Sequence, residues 1–492
     1  MRPLPPLEGL ASLTDATLTA LRERLAELGY DEGALAEGES IAPAMLDALR
    51  LPLLRDAWRN APTPRRDLAL LFTYDSAVEI ARVSAALGAD LFDALTKAGA
   101  LSLDGDLARC PFRITPLRGL WIVGDDLNRG GEAVMGPGPT TLQLARAMPT
   151  RDLARVLDVG CGAGTLALLA SARGASEAVG VDISERAVAL SRFNARLNGL
   201  SARFEVSDMF SAVAGERFDL IVSQPAFIAH PPDVAASTFA HGGPMGDELV
   251  IRLFEGLSSH LAAGGRALVL LDSAVRPKAP LHARLRAALG RSALDLVVLA
   301  AKGHDPDTFS IAYASLIDPD LGPAWRDAAL RYRAHLRAMG VEEFTHALAA
   351  VSTASAVDAG FTITLPVKSL RGFDAEVLSM LGDALSIATR DDAKLLASTV
   401  RANPAAVYVE ERARPDSALE PRWVVRFTGA EWSDRELTEP TWVLLGLLDA
   451  ADTVRDAVGA FAEACGATPD GVRAQVLGFV RESLARGLLV AA

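Results

Sequence analysis

The sequence predicts an α/β protein with a doubly wound, mostly parallel sheet in its middle segment, flanked by a helical N-terminal and an α+β C-terminal domain. Apolar runs of strand length alternate with helical segments over residues 119–320, as in parallel sheets covered by helices. Residues 9–110 and 437–490 instead carry apolar side chains at helical spacing. Half of the 492 residues are hydrophobic, which excludes a largely disordered chain.

Three domains are expected from this pattern and length. Residues 1–118 are predicted as a helical domain that ends in a hairpin at AGALSLDGDLARC and is winged-helix-like. Residues 119–320 form the α/β domain, and residues 321–492 form the C-terminal domain, with a small module of its own at 423–492. Residues 323–350 are predicted helical, and further strands are expected around 360–367 and 405–410.

Seven strands are predicted for the α/β domain. Their sequences are ARVLDVG, EAVGVD, RFEVSD, FDLIVS, GRALVLLD, LDLVVLAA and FSIAYASL. A short Gly/Asp/Pro segment separates the last two runs, so the sheet is expected to finish with an antiparallel hairpin.

Charge and cysteine usage narrow the classes of function. The formal net charge is −13, which disfavours nonspecific nucleic-acid binding because that activity needs many cations facing phosphates. The three cysteines lie far apart in sequence, so neither a disulfide framework nor a cysteine-based metal site is predicted. No apolar signal segment and no membrane-length apolar run is visible, so a cytoplasmic location without membrane contact is expected.

A glycine-rich turn follows the first strand of the α/β domain. The strand ends at Asp158, the turn reads Gly160-Cys161-Gly162-Ala163-Gly164, and a helix is predicted from Thr165. Glycines let a backbone turn sharply and approach a ligand closely, because a Cβ atom would clash there. Taken alone, this spacing also fits a plain tight strand–helix turn.

The next three strands also end in polar or unusual residues. The second ends at Asp182, 24 residues after Asp158, where an acid can accept both hydroxyls of a ribose. The third ends at Asp208-Met209, and the fourth at Ser223, followed by Gln224-Pro225-Ala226-Phe227. Open α/β sheets bind ligands at the carboxyl ends of their strands, so one site is expected here.

With these motifs in order, the chain resembles the class I S-adenosylmethionine-dependent methyltransferases over about 200 residues. The resemblance implies S-adenosylmethionine as cofactor, held by the following residues: Asp158, Gly160, Cys161, Gly162, Gly164, Thr165, Asp182, Ile183, Asp208, Met209 and Ser223. A nicotinamide-dinucleotide enzyme is the alternative, and it fits poorly because the glycine spacing is not G-x-G-x-x-G.

The fourth motif resembles that of the small-methyltransferase subgroup, which includes release-factor glutamine and nucleobase N-methyltransferases. Their Asn/Asp-Pro-Pro-Tyr/Phe signature orients a planar NH2 group, and the resemblance implies Gln224, Pro225 and Phe227 as catalytic residues. Gln224 is one methylene longer than asparagine, and Ala226 replaces the second proline, so a different nitrogen group or acceptor fits as well. A strand-end turn without catalytic duty is the alternative.

Other residues near these motifs are weaker candidates. General bases for a hydroxyl or protonated amine are sought in the segment after Phe227, and the candidates are His230, His241 and Asp247. Thr140 or Thr141 could cap a helix near the cofactor. The mouth of the site is expected to involve Trp121, Asp125 and Asp126.

Two enzymatic functions and one non-enzymatic function follow from the resemblance. The first is N-methylation of an amine or amide in a peptide or natural-product substrate, so the expected partner is a peptide or small-molecule acceptor. The second is N-methylation of a protein glutamine or a nucleobase, and the third is a non-catalytic cofactor-binding scaffold. Segment 423–492 resembles winged-helix modules that recognise peptides in ribosomal-peptide-modifying enzymes, whereas a unit that packs on the core or forms a homodimer explains its pattern equally.

Overall fold

The structure, a computed structural model, describes residues 3–39, 51–126, 131–151, 153–235, 238–276, 278–318, 321–353, 360–411, 421–427, 432 and 434–492. Its N-terminal helices are α1 (Glu8–Ser12), α2 (Asp15–Glu27), α3 (Glu32–Glu39), α4 (Leu51–Asn60), α5 (Pro64–Phe72), α6 (Ile80–Leu87) and α7 (Ala89–Lys97). The strands of this part are β1 (Val78–Glu79), β2 (Ser102–Asp104), β3 (Leu107–Arg109), β4 (Phe112–Leu117) and β5 (Leu120–Asp125). Strands β2 and β3 pair antiparallel, which confirms the predicted hairpin.

The predicted boundary at residue 118 falls inside a second hairpin. Strands β4 and β5 pair antiparallel across it, from Phe112 opposite Asp125 to Leu117 opposite Leu120. Strand β5 also packs on the following α/β layer, so the helical N-terminal part and the sheet share one hydrophobic core. Residues on both sides of position 118 therefore pack in one core.

The middle of the chain builds the central layer. Its elements are α8 (Pro139–Ala147), β6 (Arg155–Val159), α9 (Thr165–Ala172), β7 (Glu177–Asp182), α10 (Glu185–Asn198), β8 (Arg203–Val206), β9 (Phe218–Ser223), β10 (Ile228–Ala229), β11 (His241–Gly243), α11 (Glu248–His260), β12 (Leu261–Ala274), α12 (Leu281–Leu289), β13 (Asp295–Lys302), α13 (Pro306–Ala314), α14 (Pro323–Ala338), β14 (Phe344–Ser352) and β15 (Thr362–Pro366). A short 3-10 helix spans Ser211–Val213.

Eight of these strands form one sheet in the order β15-β13-β14-β12-β9-β6-β7-β8. The neighbours from β12 to β8 run parallel, and β14 alone runs antiparallel to both strands beside it. Strand β7 lies on one side of β6 and β9 on the other, so the connections diverge there and open a crevice at the carboxyl ends of the strands. This arrangement confirms the predicted α/β class with a mostly parallel, doubly wound sheet.

Two predicted elements differ in the structure. The run FSIAYASL, predicted as the last strand, belongs to helix α13, because Asp305 caps it by accepting the N–H groups of Asp307 and Thr308, and Pro306 occupies its first turn. The predicted helix over 323–350 ends at Ala338, and strand β14 begins at Phe344. The antiparallel partner of β13 is therefore β14, and the sheet continues past the predicted domain end at residue 320.

Helices α13 and α14 form a pair that the chain inserts between strand β13 and the antiparallel strand β14. Their buried side chains include Phe309 and Tyr332, which join Phe344 and Ile228 in one apolar cluster. Ile228 follows the fourth predicted motif directly. The insertion therefore packs on the chain segment that leaves strand β9.

The C-terminal part completes the fold with α15 (Ala375–Ala388), α16 (Asp392–Leu396), β16 (Val400–Ala402), β17 (Ala406–Glu411), β18 (Arg422–Phe427), β19 (Arg435–Leu437), α17 (Glu439–Ala450), α18 (Val454–Ala464), α19 (Pro469–Ala485) and β20 (Leu489–Ala491). The helical spacing over residues 437–490 is confirmed by helices α17, α18 and α19. Strand β20 pairs antiparallel with β16, which lies outside the predicted 423–492 module. Within the described part of the chain, no helix is long and apolar enough to cross a membrane.

Candidate active site

A cavity of about 470 Å³ lies at the carboxyl ends of β6, β7, β8 and β9, where the sheet topology opens its crevice. Twelve of the fourteen predicted site residues line it: Asp158, Gly160, Cys161, Gly162, Thr165, Asp182, Ile183, Asp208, Met209, Ser223, Gln224 and Pro225. Gly164 and Phe227 are the two that do not. The four strand ends that the sequence singled out thus meet around one space, while the role of each residue stays a prediction.

The glycine turn forms the floor of the cavity. Gly160 has a φ of +73°, and a Cβ atom built there would meet nothing within 4 Å, because it would point into open space. The N–H groups of Gly160 and Cys161 both donate to the carbonyl of Val181, over 2.8 and 3.0 Å. A ligand can therefore lie directly against this backbone.

Asp158 ends strand β6 and is almost completely buried. Burial raises the pKa of its carboxyl to about 7, and the nearby Asp182 charge adds to the rise. Hydrogen bonds from the N–H groups of Ala167 and Leu166, at the start of α9, oppose it. The carboxyl therefore holds the glycine turn against the helix, and its burial favours the protonated form.

Asp182 ends strand β7 and binds two backbone groups. One oxygen accepts the N–H of Gly162 and the other that of Ser184, each over 2.9 Å. Burial raises the pKa of this carboxyl, and the two hydrogen bonds work against the rise. The carboxylate is held rigidly at the cavity wall with lone pairs left for a ligand's hydroxyl groups.

The far wall of the cavity combines apolar side chains with an ion pair. Ile183 is 57% exposed although it lines the cavity, and Met209 lines the same space with a φ of +52°. Asp208 lies beside them and accepts from Nη2 of Arg252 over 2.8 Å. An apolar wall next to an acid fits a flat, partly polar ring such as a nucleobase.

The end of strand β9 carries the predicted acceptor motif. The Ser223 hydroxyl donates to the carbonyl of Val159 over 2.7 Å and so fastens β9 to β6. Gln224 and Pro225 line the cavity, as does Ala226. Phe227 does not line the cavity. Its ring packs against two apolar clusters, one on the sheet face that includes Phe254 of α11 and one that includes Phe309 of α13 and Tyr332 of α14.

Gly164 also differs from its predicted place at the cofactor. A Cβ atom there would lie 2.9 Å from the side chain of Ser191 and 3.0 Å from the ring of Phe204. Its small size therefore allows helix α9 to pack closely on its neighbours, which is a different physical requirement from ligand contact.

The three predicted base candidates do not line the cavity. Asp247 forms ion pairs with Arg276 and Arg284. His241 packs against His230 with ring centroids 4.1 Å apart and ring planes tilted by 42°, and its Nε2 contacts the hydroxyl of Tyr332. These groups hold the segment after strand β9 in place, and none faces the cavity.

The predicted mouth residues have structural partners instead. Trp121 donates from its indole to the carbonyl of Tyr30 over 2.8 Å. Asp126 pairs with Arg113, and Asp125 forms a bidentate pair with Arg186 while also accepting the N–H of Val134. Thr141 lines the cavity and Thr140 does not.

Several lining residues have no sequence motif to reveal them. A loop over residues 131–136 covers one side of the cavity, and its Glu132 accepts from the hydroxyl of Thr238 over 2.9 Å. The N–H of Thr238 also donates to the carbonyl of Gly131 over 3.0 Å. Two loops that are about 100 residues apart in sequence thus meet over the cavity.

Comparison with known proteins agrees with this geometry. A family model described as the methyltransferase small domain matches residues 138–289. A release factor glutamine methyltransferase of Cereibacter sphaeroides is 31% identical over 246 residues, which cover 46% of this chain and 85% of that relative. The chain belongs to the class I S-adenosylmethionine-dependent methyltransferases.

Other members of this family match smaller parts of the methyltransferase. A putative protein N5-glutamine methyltransferase of Methanocaldococcus jannaschii is 34% identical over 122 residues, which cover 24% of this chain and 61% of that relative. The crystal structure of a ribosomal protein L11 methylase from Lactobacillus delbrueckii subsp. bulgaricus matches with a TM-score of 0.24 and 24% identity. That match covers 32% of this chain and 68% of the other.

The cavity of this methyltransferase fits the family's cofactor, S-adenosylmethionine. The open space at Gly160 leaves room for part of the ligand to lie against the protein backbone. The Asp182 carboxylate, which is fixed by its hydrogen bonds, suits the hydroxyl groups of a ribose. The apolar wall at Ile183 and Met209, with Asp208 beside it, suits adenine. Gly160, Asp182, Ile183, Asp208 and Met209 are the five residues that would hold the cofactor.

Proposed function

We propose that this methyltransferase transfers the methyl group to a nitrogen of an amide or amine carried by a peptide or a natural product. The observation that carries the proposal is the meeting of Gln224 and Pro225 with Asp158 and Asp182 around a single cavity. An acceptor bound at the end of strand β9 therefore lies next to a cofactor bound at the glycine turn.

The residues of this chain contribute to the reaction by orienting the acceptor nitrogen. The side-chain oxygen of Gln224 and the carbonyl of Pro225 are hydrogen-bond acceptors, so they can receive the two N–H bonds of a planar NH2 group. This arrangement turns the nitrogen lone pair towards the cofactor's methyl group. When bound, S-adenosylmethionine supplies that methyl group on a sulfonium. Holding the acceptor nitrogen close to the methyl group and in line with it accounts for most of the lowering of the activation barrier.

The loop over residues 131–136 supports the same proposal by covering one side of the cavity. The loop carrying Glu132 is fastened to Thr238 over the cavity, and Asp125 fixes the same loop through the N–H of Val134. Hydrogen bonds to the acceptor are stronger where such loops limit the access of water.

A second candidate acceptor is the side-chain amide of a protein glutamine. Two of the relatives are named as glutamine methyltransferases, and one of them is matched over 85% of its length. The departure from their expected signature at Gln224 and Ala226 supports the first candidate, because a longer amide and a missing proline reshape the acceptor's place. A nucleobase is disfavoured by the net charge of −13. A bacterial source and a cytoplasmic location stay predictions.

The test compares binding with turnover. We expect Gln224→Ala to leave the Kd for S-adenosylmethionine within twofold in calorimetry and to lower kcat at least tenfold. The acceptor probes are an unmethylated release factor and N-acetylglutamine methylamide, with methylation followed by mass spectrometry. Gln475→Ala, at an exposed site on α19, is the matched control and should behave like wild type. An unchanged kcat for Gln224→Ala would contradict the orienting role, and no cofactor binding by wild type would contradict the whole proposal.

A further inference from the structure

An aromatic residue other than the predicted one belongs to the wall of the cavity. Phe227, the predicted aromatic member of the acceptor motif, does not line the cavity and packs against two apolar clusters instead. Phe239, which follows 12 residues later, lines the cavity and is only partly buried. The proposed mechanism does not use Phe239.

The chain segment around Phe239 lies directly against the acceptor motif. The N–H of Ile228 donates to the carbonyl of Ala240 over 2.9 Å, where β10 and β11 pair in parallel. A Cβ atom at Gly242 would lie 2.5 Å from the carbonyl oxygen of Ala226, so only a glycine fits this contact. Ala226 and Phe239 both line the cavity, so Phe239 belongs to the wall beside the acceptor motif.

The chain is also held on the other side of Phe239. The N–H of Thr238 donates to the carbonyl of Gly131 over 3.0 Å, and its hydroxyl donates to Glu132 over 2.9 Å. Thr238 is thus bound to the loop over the cavity, and Ala240 is bound to β10. A side chain whose backbone is held on both sides loses less freedom when a ligand binds, which favours binding.

The shape of a carboxamide explains what an aromatic ring adds at this place. The two N–H bonds and the carbonyl lie in one plane, and the lone-pair density of the nitrogen is perpendicular to that plane. Gln224 and the carbonyl of Pro225 accept the N–H groups within the plane. One face of the amide then turns towards the cofactor's methyl group, and the opposite face is left for the ring of Phe239. An amine nitrogen is carried by a tetrahedral carbon, which has no such flat face.

We propose that Phe239 is a specificity-determining residue whose ring packs on the face of the acceptor's carboxamide that points away from the cofactor. The inference rests on the proposed function and narrows its acceptor from amides and amines to planar amides. It uses a residue that lines the cavity, and it leaves both N–H groups of the acceptor to Gln224 and Pro225. Phe239 thereby replaces Phe227 as the aromatic residue of the acceptor site.

Packing of the segment alone is the competing explanation. Phe239 also packs against the apolar cluster that contains Phe309, Tyr332 and Phe344, and a purely structural role needs only that contact. Two variants separate the roles, since Phe239→Tyr keeps the flat ring and Phe239→Leu keeps an apolar side chain without it. Phe479→Leu on α19 is the matched control, because Phe479 is another partly buried phenylalanine and lies outside the cavity.

The first experiment observes the ring itself and does not depend on turnover. Full-length protein is labelled with para-fluorophenylalanine, saturated with S-adenosylhomocysteine and followed by fluorine NMR, and the Phe239 signal is assigned by its loss in Phe239→Leu. The protein is titrated with N-acetylglutamine methylamide, the carboxamide probe. The matched amine probe is N-acetylornithine methylamide, whose side chain has the same length but carries its nitrogen on a tetrahedral carbon.

We expect the Phe239 signal to move when the carboxamide probe is added. Phe239→Leu should raise the Kd of that probe by about 3- to 10-fold, because an aromatic contact is lost, and should raise the Kd of the amine probe less. Phe239→Tyr should restore most of the binding, and Phe479→Leu should behave like wild type. A signal that the carboxamide probe does not move, or equal weakening of both probes in Phe239→Leu, would overturn the proposal.

The second experiment measures methyl transfer to the two probes by mass spectrometry. We expect Phe239→Leu to lower kcat/KM for the carboxamide probe by about 3- to 10-fold while the Kd for S-adenosylmethionine is unchanged. A lower kcat/KM in Phe227→Leu but not in Phe239→Leu would overturn the proposal. Methylation of the amine probe alone would support the proposed function and overturn this inference. Methylation of neither probe would contradict the proposed function, and the NMR titration would still decide whether Phe239 contacts a carboxamide.

Discussion

Asn194 on α10 binds both backbone polar groups of Val123 on β5. Its Oδ1 accepts the N–H and its Nδ2 donates to the carbonyl, each over 2.8 Å. The same Nδ2 donates to the carbonyl of Ala163 in the glycine turn over 2.9 Å. Asn198, one helical turn later, binds both backbone groups of Trp121 in the same way. Two asparagines thus pair with the free backbone edge of strand β5, and Asn194 also binds the glycine turn at Ala163.

These contacts predict different effects for two similar substitutions. Asn194→Ala leaves three buried backbone groups without a partner, so we expect it to cost about 3 kcal/mol in folding free energy. It should also weaken S-adenosylmethionine binding, since Ala163 lines the cavity. Asn198→Ala, the matched control, should lower the melting temperature while leaving cofactor affinity within twofold. Scanning calorimetry and titration calorimetry measure the two quantities, and equal cofactor affinity in both variants would contradict the link.

Removing the Asp182 carboxylate should affect binding more than folding. Asp182→Ala takes away the acceptor for Gly162 and Ser184 together with the proposed ribose contact. Charged hydrogen bonds of this kind are worth about 1.5 to 3 kcal/mol each, so we expect the Kd for S-adenosylmethionine to rise by about 10- to 150-fold. Glu205→Ala removes a partly exposed carboxylate on the neighbouring strand, outside the cavity, and should leave the Kd unchanged.

The buried Asp158 predicts a pH dependence of stability. Its pKa is about 7 in the folded protein against 3.8 for an exposed aspartate, because burial disfavours the charge. Between these values the folded state binds more protons than the unfolded state, so stability falls as pH rises from about 4 to 7 and stays lower above 7. Asp158→Asn removes that titration.

The measurement compares chemical denaturation of Asp158→Asn and wild type at pH 5 and pH 8, without cofactor. We expect the variant's stability relative to wild type to be higher at pH 8 than at pH 5 by about 2 to 3 kcal/mol, which corresponds to about two pKa units. Other titrating groups cancel in this difference. A difference that is the same at both values of pH would show that Asp158 does not titrate in this range.

The four strands that end at the site could be predicted from the sequence, whereas strand β14 of the same sheet could not. Strands β6 to β9 have apolar runs bounded by turn residues, and all four were predicted with their functional ends. The helix predicted over residues 323–350 includes most of strand β14, which pairs with β12 on one side and β13 on the other. Pairing on both sides depends on strands that are distant in sequence and overrides local helix propensity.

The same distinction applies to the site. Asp158, Asp182 and Gln224 follow strands, and parallel strands bring their carboxyl ends together, so their meeting could be predicted. Glu132 and Thr238 meet only because two loops fold over the cavity, and no spacing in the sequence encodes that contact.

Gly164 offers a test of whether packing, rather than ligand contact, requires a glycine in the turn. Its φ is +81° and a Cβ atom would clash with Ser191 and Phe204, so Gly164→Ala should add an overpacking cost to the backbone strain. Gly174→Ala is the matched control, because its φ is +88° but a Cβ atom there meets nothing within 4 Å.

Strain alone costs about 1 to 2 kcal/mol, and overpacking adds about 1 to 3 kcal/mol. We therefore expect denaturant unfolding to show the Gly164 variant as the less stable of the two by about 1 to 3 kcal/mol. Because Ser191 also donates to the carbonyl of Gly162, over 2.8 Å, pushing it aside should move the turn and weaken cofactor binding in the Gly164 variant alone. Equal stability in both variants would mean that helix α9 has room at this point, and the close approach at Gly164 would then lose its structural explanation.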